Sequence, residues 1–248
     1  MTVYNEDFYS NRHSRTKYAA KTILSKVIEV HPSITSAIDI GCGVGTWLSV
    51  LKQHGVSNVQ GVDGPWVEQK LLEIPPECFR SYDFKVPEID LTFNRRYDLA
   101  ICLEVAEHID PPKAKAFVQY LTTLSDLILF SAAIPGQGGI GHVNEQWPSY
   151  WVGLFSEHGY VVRDTLRLKI WNDDQIPWWY RQNIMLFLSK EETLCTNSSN
   201  VDMSAIPVVH PVLLRAKTEI YTGQAFKIFV DCVLQALRRK LASFSVKS

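Results

Sequence analysis

The chain lacks the features that mark secreted and membrane-spanning proteins. No two cysteines follow a C-x-x-C pattern, which argues against a disulfide framework and a zinc-thiolate site. The 5 cysteines are scattered, at Cys42, Cys78, Cys102, Cys195 and Cys232. No apolar run approaches the length of a membrane-spanning helix, and residues 1–10 contain no apolar core of a secretory signal. We therefore expect a cytoplasmic protein without a transmembrane segment.

An excess of positive charge is also missing. The 25 Lys and Arg residues are balanced by 26 Asp and Glu residues, so the formal net charge is -1 at pH 7. Because nucleic-acid binding draws on Lys and Arg near the phosphates, this balance disfavours nucleic acid as the main partner. Hydrophobic residues make up 46% and charged residues 21% of the chain, which is typical of a soluble globular protein. A length of 248 residues suits one α/β domain with a short appendage.

Apolar runs alternate with segments of helical periodicity along most of the chain. This order predicts an α/β fold, a doubly wound and mostly parallel seven-stranded sheet with right-handed crossovers. Helices are predicted at Arg15–Val30 and Thr46–His54, from Pro111 onward, and at Trp147–His158. Strands are predicted at Thr35–Ile40, Asn58–Val62, Cys78–Tyr82, Tyr97–Leu103, Leu127–Ala133, Val161–Leu168 and Ile184–Leu188.

The composition divides the chain into a main domain over residues 1–190, a linker over 191–221 and a C-terminal helical extension over 222–248. Polar residues dominate from Glu191 to Ser204, which indicates a surface linker. From Ala225 to Leu241, apolar residues lie on one helical face and basic residues elsewhere. Such an amphipathic helix could cover its own domain, pair with a second copy in a homodimer, or dock on an anionic membrane surface.

A glycine-rich turn follows the first predicted strand. Gly41, Gly43 and Gly45 have a G-x-G-x-G spacing, which permits a tight turn and close approach of a ligand at the start of a helix. Dinucleotide-binding domains use a G-x-G-x-x-G spacing instead, so a dehydrogenase is disfavoured. Asp63 ends the second predicted strand, where a carboxylate can accept both ribose hydroxyls of an adenosine.

The motifs AIDIGCGVG at residues 37–45 and GVD at residues 61–63 resemble the first two cofactor motifs of the class I S-adenosylmethionine-dependent methyltransferases. The resemblance covers about residues 35–188. It implies the Rossmann-like class I fold, a cofactor-binding methyltransferase domain over 1–190, and S-adenosyl-L-methionine as the methyl donor. In this family Asp83 would accept from the adenine amine, although a solvated turn aspartate is the competing interpretation. The cofactor-binding residues so implied are Asp39, Gly41, Gly43, Gly45, Asp63, Asp83, Phe84 and Leu103.

The fourth predicted strand ends in an E-x-x-E-H element over residues 104–108. It resembles an element of the ubiquinone-pathway O-methyltransferases and of the small-RNA terminal 2′-O-methyltransferases. In the latter, this element and a downstream histidine bind a divalent metal. If residues 104–108 form a helical turn, the two glutamates and the histidine face one way. The implied ligands are Glu104, Glu107, His108 and the downstream His142, a set that suits Mg, Mn, Fe or Zn.

Two other interpretations of the same residues stay open. In the first, Glu107, His108 and His142 form a catalytic set. Either histidine could act as general base for an acceptor hydroxyl, because imidazole titrates in the useful range. Alternatively, Glu104 and Glu107 bind loop amides and both histidines are structural.

Aromatic residues crowd the segment that should cover the site. They could stack on a sugar ring or a planar acceptor, but packing between this segment and the sheet is the favoured interpretation. They are Trp147, Tyr150, Trp151, Trp171, Trp178, Trp179 and Tyr180.

The expected function is methyl transfer to a hydroxyl of a small-molecule or sugar-containing acceptor, with a divalent metal as a further hypothesis. The run over residues 134–148 resembles a bacterial group of methyltransferases associated with glycan or secondary-metabolite pathways, which favours a small-molecule or glycan substrate. The alternatives are N-methylation of a small molecule, 2′-O-methylation of RNA, and a non-catalytic subunit that binds S-adenosylmethionine.

Overall fold

A computed structural model describes residues 6–86, 88–190 and 207–218 of the chain. The chain divides into two units, residues 1–208 and 209–248. The helices of the first unit are α1 Glu6–Val30, α2 Thr46–Gln53, α3 Ala114–Leu124, α4 Pro148–Glu157, α5 Leu166–Ile170 and α6 Trp178–Asn183. Its strands are β1 Ser36–Ile40, β2 Asn58–Asp63, β3 Phe79–Ser81, β4 Leu99–Leu103, β5 Leu127–Ser131, β6 Tyr160–Arg163 and β7 Met185–Ser189.

The seven strands form one sheet in the order β3-β2-β1-β4-β5-β7-β6. Strands β1 to β5 pair in parallel, and β7 runs antiparallel to both β5 and β6. Every residue of β1, β4, β5 and β7 is buried. Continuous apolar runs form these strands because both of their faces are covered. The predicted doubly wound, mostly parallel sheet is confirmed.

Helices on both faces of the sheet give the core two layers. Side chains alternate across a strand, so Leu129 of β5 lies in one layer and Phe130 in the other. On the first face, α1 and α2 bury residues such as Leu24 against the sheet. On the second face, Phe155 of α4 stacks on Phe187 of β7 with ring centroids 3.9 Å apart.

The strand order reverses next to β1, which lies between β2 and β4. In open α/β sheets, ligands bind in the crevice beyond the carboxyl ends of the strands at such a reversal. The segments that follow Ile40, Asp63 and Leu103 therefore come together at one edge of the sheet. The glycine turn and the E-x-x-E-H element lie in two of these segments.

One predicted strand is only partly extended. The run Val161–Leu168 was expected to be extended throughout, but β6 ends at Arg163 and α5 begins at Leu166. Leu166 and Ile170 are 3% and 1% exposed, whereas Leu168 is 83% exposed. Burial at positions four apart is the spacing of a helix and not of a strand. The extended interpretation is therefore wrong for the last part of this run.

In the second unit, residues 211–218 are helical, so this part of the predicted linker 191–221 has regular structure. Residues 191–206 of the linker and the predicted C-terminal helix, 222–248, lie outside the described residues. Within the described part of the chain, no helix has both the length and the apolar character needed to cross a bilayer.

Candidate active site

The turn after β1 is left-handed at each of its three glycines. The φ angle is 78° at Gly41, 54° at Gly43 and 85° at Gly45. A Cβ at Gly41 would lie 2.2 Å from Cγ2 of Val105, whereas a Cβ at Gly43 would meet no atom within 4 Å. The turn is therefore closed by Val105 at its first glycine and open at its second.

Asp63 lies beside the open part of the turn. Its Oδ2 accepts a hydrogen bond from the N–H of Gly43 at 2.7 Å, and its Oδ1 accepts from Gly64 at 2.6 Å. Burial raises the pKa of Asp63, and hydrogen bonds from these two amides and from the Trp66 side chain offset part of the rise. Because a carboxylate has about four acceptor sites, Asp63 keeps capacity for a ligand hydroxyl.

Asp39 lies in β1 just before the turn and is 2% exposed. Its Oδ2 has no hydrogen-bond partner among the described residues. Burial, followed by repulsion from Asp63, raises the pKa of Asp39 well above its usual range. A buried carboxylate oxygen without a donor is costly unless a ligand or a proton satisfies it. These surroundings suit a residue that contacts a bound cofactor.

The other residues assigned to the cofactor differ in their surroundings. Oδ1 of Asp83 accepts from the backbone N–H two residues later at 2.9 Å, as in a turn, and its charge raises the pKa of Asp63. Phe84 is 7% exposed and packs edge-on against Phe117, with ring centroids 5.7 Å apart. Leu103 is 8% exposed and lies in the other core layer. Asp83 thus lies near the crevice, whereas Phe84 and Leu103 offer a ligand little surface.

Trp66 is a candidate that the sequence analysis missed. Its ring covers Gly64, where a Cβ would lie 2.2 Å from an indole carbon. The Trp66 side chain also forms a hydrogen bond to Asp63, and 42% of the residue is exposed. An exposed aromatic ring beside a carboxylate that is expected to bind a ribose is suited to stacking on a planar group. The available signal was the Gly64-Pro65 break directly after the second strand, which places the next side chain at the crevice.

Glu104 does not start a helical turn. Its φ angle is 56°, and it is the only residue other than glycine with a positive φ in the described ranges. The 3-10 helix that follows spans only Ala106–His108. The Glu104 carboxylate accepts from Nδ2 of Asn183 at 3.1 Å and from Nε2 of Gln137 at 3.0 Å. The condition of a helical turn over residues 104–108 is therefore not met at Glu104, whose carboxylate binds two amides.

Glu107, His108 and His142 form a compact group at the carboxyl edge of the sheet. One potential ligand atom from each lies within 4.8 Å of the others. Nδ1 of His108 is 3.1 Å from the Gly141 carbonyl, and Nδ1 of His142 is 2.9 Å from Oε1 of Glu145. Since both partners are acceptors, Nδ1 carries the proton in each neutral ring and Nε2 keeps a lone pair. Three of the four predicted metal ligands are thus adjacent, and the fourth, the Glu104 carboxylate, is not in this group.

The group lies in a weakly solvated environment. Glu107 is 1% exposed, and neither of its carboxylate oxygens has a hydrogen-bond partner among the described residues. Burial, followed by repulsion from Glu104, raises the pKa of Glu107 well above its usual range. Burial also lowers the pKa of His108, although the hydrogen bond to Gly141 opposes this. A cation or a substrate hydroxyl could satisfy such an unpartnered carboxylate.

The loop between β5 and α4 holds His142 in place through Glu145. The Glu145 carboxylate accepts from the N–H groups of Gly136 at 2.8 Å and Gly138 at 2.6 Å. Partial burial would raise the pKa of Glu145, but the hydrogen bonds from His142 and these amides lower it. A Cβ at Gly139 would lie 2.2 Å from Nε2 of His142. The sequence analysis missed Glu145 and Gly139. The four glycines between residues 136 and 141, followed by an acidic residue, are the sequence feature that could have indicated them.

Several aromatic residues of the covering segment pack inside the protein. Trp151 is 1% exposed and contacts Phe130, and Tyr180 packs edge-on against Trp47 with ring centroids 5.4 Å apart. The packing interpretation is confirmed for Trp151 and Tyr180. Trp147 differs because 40% of it is exposed.

Comparisons with known proteins identify a family and a fold. The family model described as a methyltransferase domain matches residues 11–168. A comparison with curated proteins finds no matching relative.

Solved structures share the fold at low sequence identity. An O-methyltransferase family protein from Burkholderia thailandensis is 12% identical with a TM-score of 0.53, and the match covers 74% of this chain and 59% of that chain. A magnesium protoporphyrin IX methyltransferase from Synechocystis is 17% identical with a TM-score of 0.52, and the match covers 77% of this chain and 86% of that chain. An amino pentose methyltransferase from Micromonospora echinaspora is 10% identical with a TM-score of 0.53, and the match covers 77% of this chain and 99% of that chain. The chain thus spans 59% of the length of the Burkholderia protein.

The family match includes the glycine turn, Asp63 and the 3-10 helix at Ala106–His108, which are the parts that build the crevice. It rules out the dehydrogenase interpretation. The chain therefore belongs to the class I S-adenosylmethionine-dependent methyltransferases.

Proposed function

We propose that the enzyme methylates a hydroxyl of a small-molecule or sugar-containing acceptor with the assistance of a divalent cation. The observation that carries this proposal is the adjacency of Glu107, His108 and His142 at the cofactor crevice. Val105 closes the glycine turn at Gly41 and lies two residues before Glu107 in the chain. The acid and imidazole groups are therefore next to the turn that would hold the cofactor.

Asp63 and the glycine turn would bind the cofactor. Asp63 would accept the ribose hydroxyls, and the open backbone at Gly43 would admit the amino-acid end of the molecule. Trp66 would flank the planar base. The buried carboxylates of Asp39 and Asp63 favour a ligand with positive charge, and the sulfonium of S-adenosylmethionine carries one.

A divalent cation fits the second group because the buried Glu107 carboxylate accepts no hydrogen bond of ordinary geometry among the described residues, although the backbone N–H groups of Glu107 and Ala133 are near enough to lower its pKa. His108 and His142 would bind through Nε2, while their Nδ1 atoms are held by Gly141 and Glu145. Metal-binding imidazoles are commonly oriented through the second nitrogen in this way. The oxygen and nitrogen donors suit Mg, Mn, Fe or Zn. Such a cation would supply positive charge that favours the deprotonated acceptor hydroxyl.

His108 supports a second candidate role, as a general base. Its lowered pKa keeps the ring neutral near pH 7, and its Nε2 has a lone pair that can take the acceptor proton. In either case the reaction needs mainly alignment and exclusion of water, because the cofactor supplies the activated carbon.

The surroundings of the histidines favour a small acceptor with an apolar portion. Three large hydrophobic residues of the 134–147 loop are exposed, namely Ile140 at 65%, Val143 at 53% and Trp147 at 40%. A phosphate backbone would require basic residues instead. The structural neighbours include enzymes named for an amino pentose and for magnesium protoporphyrin IX, which supports a small-molecule acceptor. N-methylation of a small molecule is the alternative that uses the same crevice.

A transfer assay with radiolabelled S-adenosylmethionine tests the proposal. The acceptors would be sugars, phenols, amines and RNA, each assayed with Mg or Mn and after chelation. We expect labelled product from a hydroxyl acceptor and a loss of at least about 100-fold in kcat/KM in His142→Ala. Glu157→Gln is the control, since Glu157 is a surface residue that pairs with Lys115. Full activity after chelation and in His142→Ala would overturn the cation proposal, and product from amines alone would overturn O-methylation.

A further inference from the structure

Glu104 lies at the centre of a buried polar cluster that the proposed chemistry does not use. We propose that Glu104 is a positioning residue that holds the 134–147 loop, and with it His142, and that it is not a cation ligand. The inference rests on the proposed function of the acid and imidazole group. It goes beyond that function because it gives this glutamate a different task from the one implied by the E-x-x-E-H resemblance.

The cluster consists of Glu104 and an amide clamp, formed by Gln137, Gln182 and Asn183. All three amide residues are at most 8% exposed. Nδ2 of Asn183 donates to Glu104 and to Oε1 of Gln137, at 3.1 and 3.0 Å. Nε2 of Gln182 also donates to Oε1 of Gln137, at 3.1 Å, and Nε2 of Gln137 donates to Glu104 at 3.0 Å. The donors of the clamp therefore point toward Glu104, which must act as the final acceptor.

The direction of these bonds requires a carboxylate at position 104. Both of its oxygens accept from side-chain amides, and its backbone N–H donates to Oγ of Ser131 at 3.1 Å. A glutamine at this position would turn an N–H donor toward Asn183 or Gln137, which are already donors. The left-handed backbone of Glu104 is a second sign that its side chain is held by this cluster, because a residue other than glycine adopts it only under tertiary constraint.

A continuous path of contacts leads from Glu104 to His142. Gln137, which binds Glu104, lies between Gly136 and Gly138, whose N–H groups both donate to Glu145. Glu145 in turn accepts from Nδ1 of His142 at 2.9 Å. A change in the clamp should therefore change the position of the His142 ring.

The clamp also joins separate parts of the fold. Glu104 follows β4, Gln137 lies in the loop after β5, and Asn183 ends α6. By contrast, the Glu107 carboxylate accepts no hydrogen bond of ordinary geometry among the described residues and lies with both histidines, its Oε1 3.9 Å from Nε2 of His142. Two glutamates only three positions apart thus have opposite surroundings, one satisfied by amides and one available to a ligand.

The test uses Glu104→Gln, Asn183→Asp and the double variant that combines these two substitutions, all in the full chain. Each is compared with Glu107→Gln. In the double variant, the amide of the new Gln side chain can donate to the new Asp carboxylate, which restores this donor and acceptor pair. Oε1 of Gln137 loses the donor at position 183 but keeps the one from Nε2 of Gln182. The first readout is Co²⁺ binding by titration calorimetry. The second is the ¹⁵N chemical shift of the His142 imidazole without added metal. Glu157→Gln, on the surface, is the matched control and should change neither.

We expect Glu104→Gln to bind Co²⁺ about 10-fold more weakly than the wild type, the double variant to recover to within about threefold, and Glu107→Gln to show no measurable binding. The His142 resonances should move in Glu104→Gln and return toward the wild-type values in the double variant. A complete loss of Co²⁺ binding in Glu104→Gln without recovery in the double variant would identify Glu104 as a ligand and overturn the proposal.

Unchanged His142 resonances in Glu104→Gln would also overturn it. If the wild type binds no Co²⁺, the cation part of the proposed function fails, and the His142 resonances alone decide the role of Glu104. If Glu104→Gln does not fold, Gln137→Met breaks the same path from the loop side and must move the same resonances for the proposal to stand.

Discussion

Buried carboxylates at the carboxyl edge of the sheet are the dominant feature at the scale of single residues. Burial raises the pKa of Asp39, Asp63 and Glu107, and in each case a neighbouring carboxylate raises it further. Negative charge in a weakly solvated crevice attracts cations strongly. The sulfonium of S-adenosylmethionine carries such a charge and the sulfur of the product does not, so under the proposed function these residues would favour the donor over the product.

Replacement of Asp63 should weaken the cofactor more than replacement of Asp83. Asp63→Asn removes a charged acceptor for the ribose hydroxyls, and we expect the Kd for S-adenosylhomocysteine to rise about 10- to 100-fold, since such hydrogen bonds contribute about 1.5–3 kcal/mol. Asp83→Asn keeps the turn geometry and should change the Kd by less than about threefold. Titration calorimetry measures both constants. Equal effects of the two substitutions would contradict the assignment.

The first two glycines of the turn should differ in what they tolerate. Gly41→Ala combines a left-handed φ of 78° with a clash against Val105, so we expect the free energy of unfolding to fall by about 3 kcal/mol or more. At Gly43 there is free space, so the alanine variant should lose only about 1 kcal/mol but most of its affinity for S-adenosylhomocysteine. Urea unfolding and calorimetry on the same samples separate the two effects. A Gly43→Ala protein with full affinity would show that the ligand does not approach this residue.

At the scale of elements, the two ends of the sheet have different tasks. The carboxyl ends of the strands carry the crevice, while the amino ends are tied together by Asp98, which comes just before β4. Oδ2 of Asp98 accepts from the N–H and hydroxyl groups of both Thr35 and Ser36, at 2.8 to 3.0 Å. This cluster joins the starts of the adjacent strands β1 and β4. The Asp98 cluster and the candidate active site therefore lie at opposite ends of the same strands.

Asp98 should give the protein an acid-sensitive contribution to stability. Partial burial would raise its pKa, but the hydrogen bonds from Thr35 and Ser36 lower it overall. Because the folded pKa lies below the unfolded value of about 3.9, the stabilisation is present above that pH and is lost as the pH falls through the folded pKa. Asp98→Asn should therefore lower the Tm at pH 7. The difference in Tm between the variant and the wild type should be smaller at pH 3 than at pH 7. A constant difference between pH 7 and pH 3 would count against this role.

The helical register of α5 can be tested by truncation of two leucines. Leu166→Ala removes a buried side chain and should lower the free energy of unfolding by about 2–4 kcal/mol. Leu168→Ala changes a side chain that is 83% exposed and should have an effect within about 0.5 kcal/mol. Denaturant unfolding of the two variants measures both values. Similar losses for both would favour an extended segment with a different pattern of burial.

At the scale of the whole molecule, the reversal of strand order brings distant parts of the chain into one crevice. Val105 after β4 contacts the turn after β1, and the N–H groups of Val143 and Asn144 donate to the Glu107 carbonyl at 2.9 and 3.0 Å. The cofactor turn, the Glu107 segment and the histidine loop are therefore linked directly. A ligand in the crevice should stabilise the first unit, residues 1–208, as a whole.

S-adenosylhomocysteine at about 100 times its Kd should raise the free energy of unfolding by about 2.7 kcal/mol, because it binds only the folded chain. For a domain of this size, that corresponds to roughly 5–10 °C in Tm. Thermal unfolding with and without the ligand measures the shift, and Asp63→Asn at the same ligand concentration should show less of it. NADH is the control and should produce no shift. A shift with NADH and none with S-adenosylhomocysteine would contradict the family's cofactor.

The fold was largely predictable, and the site only in part. All seven strands were predicted, and the pattern was clearest for central strands such as β4 and β5, because two buried faces require continuous apolar runs. The helical start of α5 was missed because a short apolar run is compatible with either structure. Glu104 was misplaced because its left-handed backbone depends on contacts with Gln137 and Asn183, which lie far away in the sequence.

The amino-acid sequence by itself determined the order of the strands and of helices α1 to α4, the glycine turn and Asp63. These are local properties, since they follow from periodicity and from the backbone freedom that only glycine has. Only the tertiary structure decided which glutamate of residues 104–108 joins His108 and His142, and that the Trp66 ring covers Gly64 beside Asp63. The physical reason is that these contacts depend on loops that approach each other across the sheet, and no local pattern specifies how closely they approach.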